Sequence, residues 1–380
     1  MKFLHIAILG RNIQPPWNEA VKNMAFELAS QLAGLGHKVH LVTTQGIGML
    51  SGDNILVHSL PPKGFWQSAI KTLLKLESDH ELDLVHLQNL IIHRSFAPFV
   101  GLFRRHSRVP LVAYCCQLPR LSFPVWVEVL KKDPSEALFN KLGMLAPSLI
   151  TEWTTRTIDK TIASSRFIRD QLARSRPNRS IDIIPPFFNT ERLKLAQKSP
   201  KVGSDSLKVL YLGSHKVLRG EEDFLLMLAL LREEFRDLEG IAVTTQPIPS
   251  RIRRLIVTHS LDRAVKFLSR SVDLDIPSLI KSVDLYAFTG LSPIGSIDPP
   301  LSIIESLILG TPVVSYNTGG IAEILGEDRL VKYGDYVSMA NTARRFLDGK
   351  LKDEPRPDLL ARFSSQRAAK LFESVYETLV

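Results

Sequence analysis

Two hydrophobic periods alternate along most of this chain, and that alternation limits what it can fold into more than any other feature. LHIAILG (4–10) is a short apolar run that reads as a buried strand. Val21, Met24, Ala25, Leu28, Ala29, Leu32 and Leu35 then recur at helical spacing and stop at Gly36. VHLVTT (39–44) returns to a strand-like run. A strand, an amphipathic helix and a second strand in this order form a βαβ unit, whose crossover makes the two strands parallel. Parallel strands are buried on both faces, which is why they read as nearly continuous apolar segments.

The alternation continues with a helical stretch near 66–80, strand DLVHLQN (83–89), a helix over 91–107 and strand PLVAYC (110–115). A long helical insertion follows, then strand KTIASS (160–165), a short helix opened by Ser164 or Ser165, and strand SIDIIPP (180–186). From Phe187 to Ser206 the apolar period fades while Lys, Ser, Pro and Gly increase, which marks an interdomain linker. A second alternation starts at KVLYLGS (208–214) and runs through IAVTT (241–245), AVKFLS (264–269) and LYAFT (285–289). A chain of 380 residues exceeds one ordinary core. The expected architecture is therefore α/β, with two doubly wound parallel-sheet domains facing a cleft: residues 1–187, then 207–356. A final helical segment, 357–380, is expected to cross back to the first domain. In open parallel sheets ligands bind beyond the carboxyl ends of the strands.

The stretch DPPLSIIESLILGTPVVSYNTGG (298–320) is the most informative segment. Asp298 is placed to cap a helix with Pro299 and Pro300 in its first turn, and Gly310 to stop it. Thr311 to Ser315 reads as a buried strand, and Gly319-Gly320 as a tight turn. Glu305 stands out. Its neighbours three and four positions away are Leu301, Ser302, Ile308 and Leu309, so no cation on its own helix pairs with it. A carboxylate on so apolar a helix takes its partner from elsewhere, either a core group or the hydroxyls of a ligand.

Glu305, GTPVV (310–314), Gly319-Gly320 and Glu323 occur in an order that resembles the retaining glycosyltransferases of the GT-B fold, family 4. GHKVHLVT (36–43), DLVH (83–86), TIASS (161–165), IIPPFFN (183–189) and VLYLGSHKVLRG (209–220) extend the resemblance over most of the chain. It implies a sugar moved from a nucleotide-sugar donor, bound by the second domain, to a hydroxyl of a glycan or lipid-linked acceptor on the first. Glu305 falls on the glutamate that accepts the ribose hydroxyls, with Leu301 and Ser302 beside it on the donor side. Arg219-Gly220 falls on the family's Lys-Gly, whose cation holds the donor diphosphate. Retention is assigned in this family to same-face attack, with the leaving diphosphate taking the acceptor proton.

The chain also departs from the pattern. Ser214 stands where a second diphosphate-binding arginine is usual, with Lys216 two residues on as a substitute. Ile297 stands for the first glutamate of the pair, which leaves Asp298 as the candidate catalytic carboxylate. The usual glycine-rich loop is represented by Glu19-Ala20, and the usual histidine position falls near Cys116 or Gln117. Glu19, His86 and Gln117 are the acceptor-side candidates. Two alternatives stay open: a non-catalytic nucleotide-sugar-binding relative, and another enzyme of the same fold, such as an epimerase.

Composition narrows the other classes. A hydrophobic fraction of 44% with 23% charged residues is that of a globular protein, and no apolar run approaches the ~20 residues needed to span a bilayer. The start MKFLHIAILG runs straight into a strand pattern, and Cys115 and Cys116 offer neither a disulfide framework nor a metal site; both suit a cytoplasmic setting. The net charge of +9 favours anionic partners. Lysines mixed with aromatic and aliphatic residues over 63–75 and 118–132 give basic amphipathic helices suited to peripheral contact with an anionic membrane. There is no aromatic–basic nucleic-acid module, no GxGxxG after the first strand and no GxxxxGK[ST]. The expectation is no tightly bound cofactor and no protein metal site, with any divalent ion carried by the donor diphosphate.

Overall fold

Among the described residues every strand pair in the computed structural model is parallel, as the alternating pattern requires. The structure describes residues 2–14, 19–44, 54–88, 96–117, 123–138, 153–154, 156–174, 180–198, 206–244, 247–269, 274–294, 296–351 and 353–380. The chain divides into two units: Met1–Arg120 with Leu142–Asn189 and Arg362–Val380, and Leu121–Lys141 with Thr190–Ala361.

The first unit is built from β1 (His5–Leu9), α1 (Ala20–Gly34), β2 (Lys38–Thr44), β3 (Ile55–Leu60), α2 (Phe65–Ser78), β4 (Leu84–Gln88), α3 (Phe96–His106) and β5 (Leu111–Cys115). After α4 (Phe123–Lys132), which belongs to the other unit, come β6 (Lys160–Ala163), α5 (Arg166–Ala173) and β7 (Asp182–Ile183). The strand order is β3-β2-β1-β4-β5-β6-β7, so the winding reverses between β1 and β4. β4 and β5 are buried along their whole length. Ser165 caps α5, its hydroxyl accepting from Ile168 N at 3.1 Å. Edge strand β3 lies outside the sequence expectation, because only Ile55 of its six residues is fully buried and its apolar signal is correspondingly weak.

The second unit holds α6 (Glu191–Lys198), β8 (Lys208–Leu212), α7 (Glu221–Arg232), β9 (Glu239–Thr244), α8 (Ser250–Thr258), β10 (Val265–Ser269), α9 (Ile276–Ser282) and β11 (Leu285–Phe288). It continues through α10 (Leu301–Leu309), β12 (Val313–Tyr316), β13 (Leu330–Val331), α11 (Tyr336–Leu347) and α12 (Asp358–Arg362). Its order, β10-β9-β8-β11-β12-β13, reverses between β8 and β11.

Three placements differ from the sequence expectation. Helix α6 lies inside the segment expected as linker; it buries Leu193 and Ala196, and Lys281 Nζ donates to the Ala196 carbonyl at 2.9 Å. Helix α4, expected in the first domain, belongs to the second unit, where the Lys132 ammonium lies 3.2 Å from Glu222 and 3.7 Å from Asp223. Asp298 does not cap α10: that helix starts at Leu301 with Pro300 as the preceding residue and no side-chain cap.

The last helix, α13 (Ser365–Glu377), lies in the first unit and has specific reasons to be there. Glu373 pairs with His37 Nε2 at 2.9 Å, and the Tyr376 hydroxyl meets His86 Nδ1 at 2.7 Å. Phe372 is fully buried among Tyr114, Phe187 and His86, with edge-to-face rings at 5.2–5.9 Å.

Candidate functional site

The winding of the second unit brings the loops after β8, β11 and β12 together at the carboxyl ends of adjacent strands. After β8 the chain forms a single 3₁₀ turn, Val217–Arg219, and then Gly220 at φ 70°. A Cβ at Gly220 would overlap the Thr289 carbonyl oxygen, so this loop crosses the β11 loop at a distance that only glycine permits. Leu291 N donates to the Leu218 carbonyl at 3.0 Å, and the hydroxyls of Tyr211 and Thr289 each lie 3.3 Å from the Arg219 carbonyl. The backbone that presents Arg219 is therefore held from two strands. Arg219 is half-buried, while Lys216, which precedes the turn, is exposed.

The β12 loop is tied to the same construction through Asp298, which is only 1% exposed. Its Oδ1 accepts the Gly320 N–H at 2.7 Å, and Thr318 donates to the Gly290 carbonyl at 3.3 Å. Gly319, at φ 62°, packs so closely on Asp298 that a Cβ would overlap Oδ1. The carboxylate thus orders the Gly-Gly turn rather than the start of α10. Leu301 and Ser302 are half-buried on the first turn of α10, with the Ser302 hydroxyl 2.8 Å from that of Tyr286. Glu305 lies one turn further and is 3% exposed among the apolar residues of the helix.

A charged layer not anticipated from sequence lies under the Arg219 loop. Glu221, 1% exposed, meets His215 Nδ1 at 2.7 Å, and His215 Nε2 lies 2.9 Å from the Thr244 hydroxyl. Burial raises the Glu221 carboxyl above its ordinary value, with His215 opposing. Burial also raises Asp223, against the pull of Lys132 and of the Tyr316 hydroxyl at 2.9 Å. From the α4 side, Glu136 accepts the Val217 N–H at 2.8 Å. Two side chains that follow or end α4, Glu136 and Lys132, therefore brace the Arg219 turn and the start of α7. Residues far apart in sequence meet here, so no local pattern announces them.

The acceptor-side candidates lie in the first unit, after β1, on β4 and after β5. Glu19 is exposed just before α1, and Gln117 is 8% exposed beyond β5. His86 corrects the expectation that it faces a binding site. Its ring is fully buried, Nδ1 meets Tyr376 of α13, and Nε2 lies 2.9 Å from Gln88 Oε1. Burial holds its pKa down to about 4, so it is neutral. Cys115 and Cys116 are buried in the core. Among the described residues no group of three or more His, Cys, Asp or Glu is arranged to hold a metal, and no helix is long and apolar enough to cross a membrane.

The expected basic amphipathic helices differ in outcome. In α2, Phe65, Ile70 and Leu73 are core residues and Trp66 packs on Phe99 at 5.4 Å, so that helix has no apolar face to offer. In α4, Val125 and Val129 are buried, while Phe123 is 66% and Leu130 39% exposed. Residues 118–122, where that expected helix begins, lie outside the described residues.

Two parallel-sheet domains with this winding are also found in solved glycosyltransferases. Sucrose-phosphate synthase from Thermosynechococcus elongatus superposes with a TM-score of 0.75 at 16% identity over 98% of each chain. Anabaena HepE, solved in complex with UDP-glucose, gives 0.71 at 16% identity over 99% of this chain and 100% of that one. The architecture is thus the GT-B fold. Residues 21–192 match the model described as Glycosyltransferase Family 4, and residues 206–349 the model described as Glycosyl transferases group 1. The chain belongs to this glycosyltransferase family. It is also 27% identical over 191 residues to an MMP alpha-(1->4)-mannosyltransferase of Mycolicibacterium hassiacum, a match that spans 48% of this chain and 45% of that relative.

Proposed function

We propose that this chain moves a sugar from a nucleotide-sugar donor to a hydroxyl acceptor, with the second unit holding the donor and the first the acceptor. The observation that carries the reading is Glu305, a carboxylate 3% exposed on an apolar helix that starts at the carboxyl end of the sheet, beside the switch point. An acceptor-only group suits the two O–H donors of a ribose diol. Arg219 and Lys216 supply positive charge on the neighbouring loop for the diphosphate, Arg219 with the bidentate fork that phosphate oxygens favour. Stabilising the departing nucleoside diphosphate is the principal electrostatic task of such a transfer. The new bond joins the acceptor oxygen to the anomeric carbon, the bond to the diphosphate breaks, and the acceptor proton passes to the leaving phosphate on the same face. The anomeric configuration is thereby retained. A relative solved with UDP-glucose and another described as a mannosyltransferase support donor chemistry of this kind. The acceptor is a glycan or lipid-linked hydroxyl, and the exposed Phe123 and Leu130 beside Lys131 give α4 a face suited to an anionic membrane.

The test is a thermal-shift panel of nucleoside diphosphates and their sugars, followed by turnover of the best binder. One nucleoside diphosphate is expected to raise the melting temperature, and Glu305→Ala to abolish that shift. No shift with any nucleotide overturns the donor assignment. Binding with neither transfer nor donor hydrolysis favours the non-catalytic alternative.

A further inference from the structure

The turn that presents Arg219 is held by backbone hydrogen bonds whose partners can be followed one by one, and one of them comes from far outside the second half of the chain. Arg219 N and Gly220 N turn back on the carbonyls of Lys216 and Val217, at 2.9 and 3.0 Å. The Leu218 carbonyl takes Leu291 N, the Arg219 carbonyl takes the hydroxyls of Tyr211 and Thr289, and the Gly220 carbonyl takes Phe224 N. That leaves the N–H groups of Val217 and Leu218, two residues that are 3% and 5% exposed. Lys216, which precedes them, makes no side-chain cap. Both N–H groups go to Glu136: Val217 N donates to Oε2 at 2.8 Å and Leu218 N to Oε1 at 3.4 Å. A carboxylate 81 residues earlier than Val217 thus supplies the N-terminal cap of this turn.

Glu136 is fixed for this task by its own neighbours. Asp133-Pro134-Ser135-Glu136 has the spacing of a capping box, in which the glutamate turns back to the N–H of the capping residue. Here that N–H is already used, because Asp133 N donates to the Val129 carbonyl at 2.7 Å where α4 ends. Asp133 still caps the helical turn over 134–138, accepting Ser135 N and Glu136 N at 3.0 and 3.1 Å. Trp126 of α4 donates to the carbonyl of fully buried Ala137 at 3.0 Å, and Lys132 pairs with Glu222 and Asp223 on the first turn of α7. The carboxylate of Glu136 is therefore released from its own helix and directed at the Arg219 turn, on a support that is itself tied to α7.

We infer that Glu136 is a positioning residue for sugar transfer: by capping the turn it sets the Arg219 guanidinium where the donor diphosphate meets it. The inference rests on the donor reading above. Both oxygens of Glu136 are engaged by the turn, so it holds the backbone and does not touch the donor. Without it two buried N–H groups lose their acceptor, and the turn has to open toward water to satisfy them. Arg219 is the last residue of that turn and moves with it. The connection between β5 and β6 thus contributes to the geometry of the donor site, although it is encoded in the other half of the chain.

The experiment measures calorimetric binding of UDP, GDP and ADP to the full-length wild type, and then of the tightest of them to variants of Glu136. Glu136→Ala is expected to weaken binding about tenfold, the equivalent of one charge-assisted hydrogen bond. Glu136→Gln keeps an oxygen for the Val217 N–H and is expected to stay within about threefold of the wild type. Glu136→Asp keeps the charge but not the reach, and is expected to follow Glu136→Ala. The contrast between Gln and Asp keeps the test valid should Glu136→Ala fold poorly. In the Arg219→Gln background Glu136→Ala is expected to have no further effect, which a general loss of stability does not produce. Wild-type binding in both Glu136→Ala and Glu136→Asp overturns the inference. Tighter binding in Glu136→Gln also overturns it, by making the carboxylate a competitor of the diphosphate, and so does an undiminished loss in the Arg219→Gln background. Absence of nucleotide binding in the wild type overturns the donor reading itself, and is distinct from a loss confined to the Glu136 variants.

Discussion

The burial of His86 predicts a specific pH dependence of stability. Its ring is fully inaccessible and its pKa is held at about 4 against an ordinary 6.5, with desolvation as the main cause and the Gln88 hydrogen bond opposing. The sign follows from proton counting. Above pH 6.5 both folded and unfolded chains carry a neutral imidazole, and the residue adds no pH dependence. Between pH 6.5 and 4 the unfolded chain binds a proton that the folded chain refuses, so stability falls as pH falls; below about 4 both forms bind it and the loss levels off. At 1.36 kcal/mol per pH unit, the His86 share between pH 7 and 4.5 is about 2.5 kcal/mol. The assay compares urea unfolding of the wild type and His86→Gln at the two pH values. Glutamine keeps a polar group near Tyr376 and Gln88 but does not titrate. The difference of differences isolates one side chain from His40, whose pKa is likewise lowered to about 4 by burial and by neighbouring His58. The wild-type midpoint should drop by about 1 M more than that of the variant, taking a denaturant slope of a few kcal/mol per molar. Equal drops in both proteins would refute the assignment of a neutral, proton-refusing His86.

Two further predictions concern the second unit. Gly319→Ala places a Cβ on Asp298 Oδ1 and forces alanine to φ 62°, so the Gly320 N–H to Asp298 bond breaks. A loss of about 3 kcal/mol in stability and at least tenfold weaker nucleoside diphosphate binding are expected by thermal unfolding and calorimetry; wild-type values in both would show that the turn is not held by this carboxylate. For α4, co-sedimentation with anionic but not neutral vesicles is expected, reduced by Phe123→Ser with Leu130→Ser; equal recovery in both supernatants ends the membrane reading.

Much of the fold was legible because its determinants are local. A strand buried on both faces has to be apolar throughout, as β4 and β5 are, and a helix covering a sheet has to carry a stripe, as α1 does with Met24, Ala25, Leu28, Ala29 and Leu32. Edge strand β3 escaped because a strand with one neighbour and partial cover needs no such run. The donor-side candidates Arg219, Lys216, Leu301, Ser302 and Glu305, and the catalytic candidate Asp298, stand out through the motif order that resembles the family; the structure sets them on segments that follow β8 and β11, which the winding makes neighbours.

Periodicity reports that a face is apolar but not which surface covers it, and there the sequence stops. It left α4 with the half of the chain in which it is encoded, whereas Lys132 and Glu136 bind it to the second unit. It read Asp298 as a cap, because a carboxylate before two prolines suits a helix start. The tertiary fold instead brings the Gly320 N–H within 2.7 Å, and a buried charge takes that donor. His86 stood among the acceptor-side candidates, but α13 packs on it, with Tyr376, 290 residues later in the chain, meeting its Nδ1. By itself the sequence determined two parallel-sheet units. Contacts between residues far apart in the chain decided which polar groups are used up in holding the protein together, because burial makes each of them take whatever partner the tertiary fold brings near.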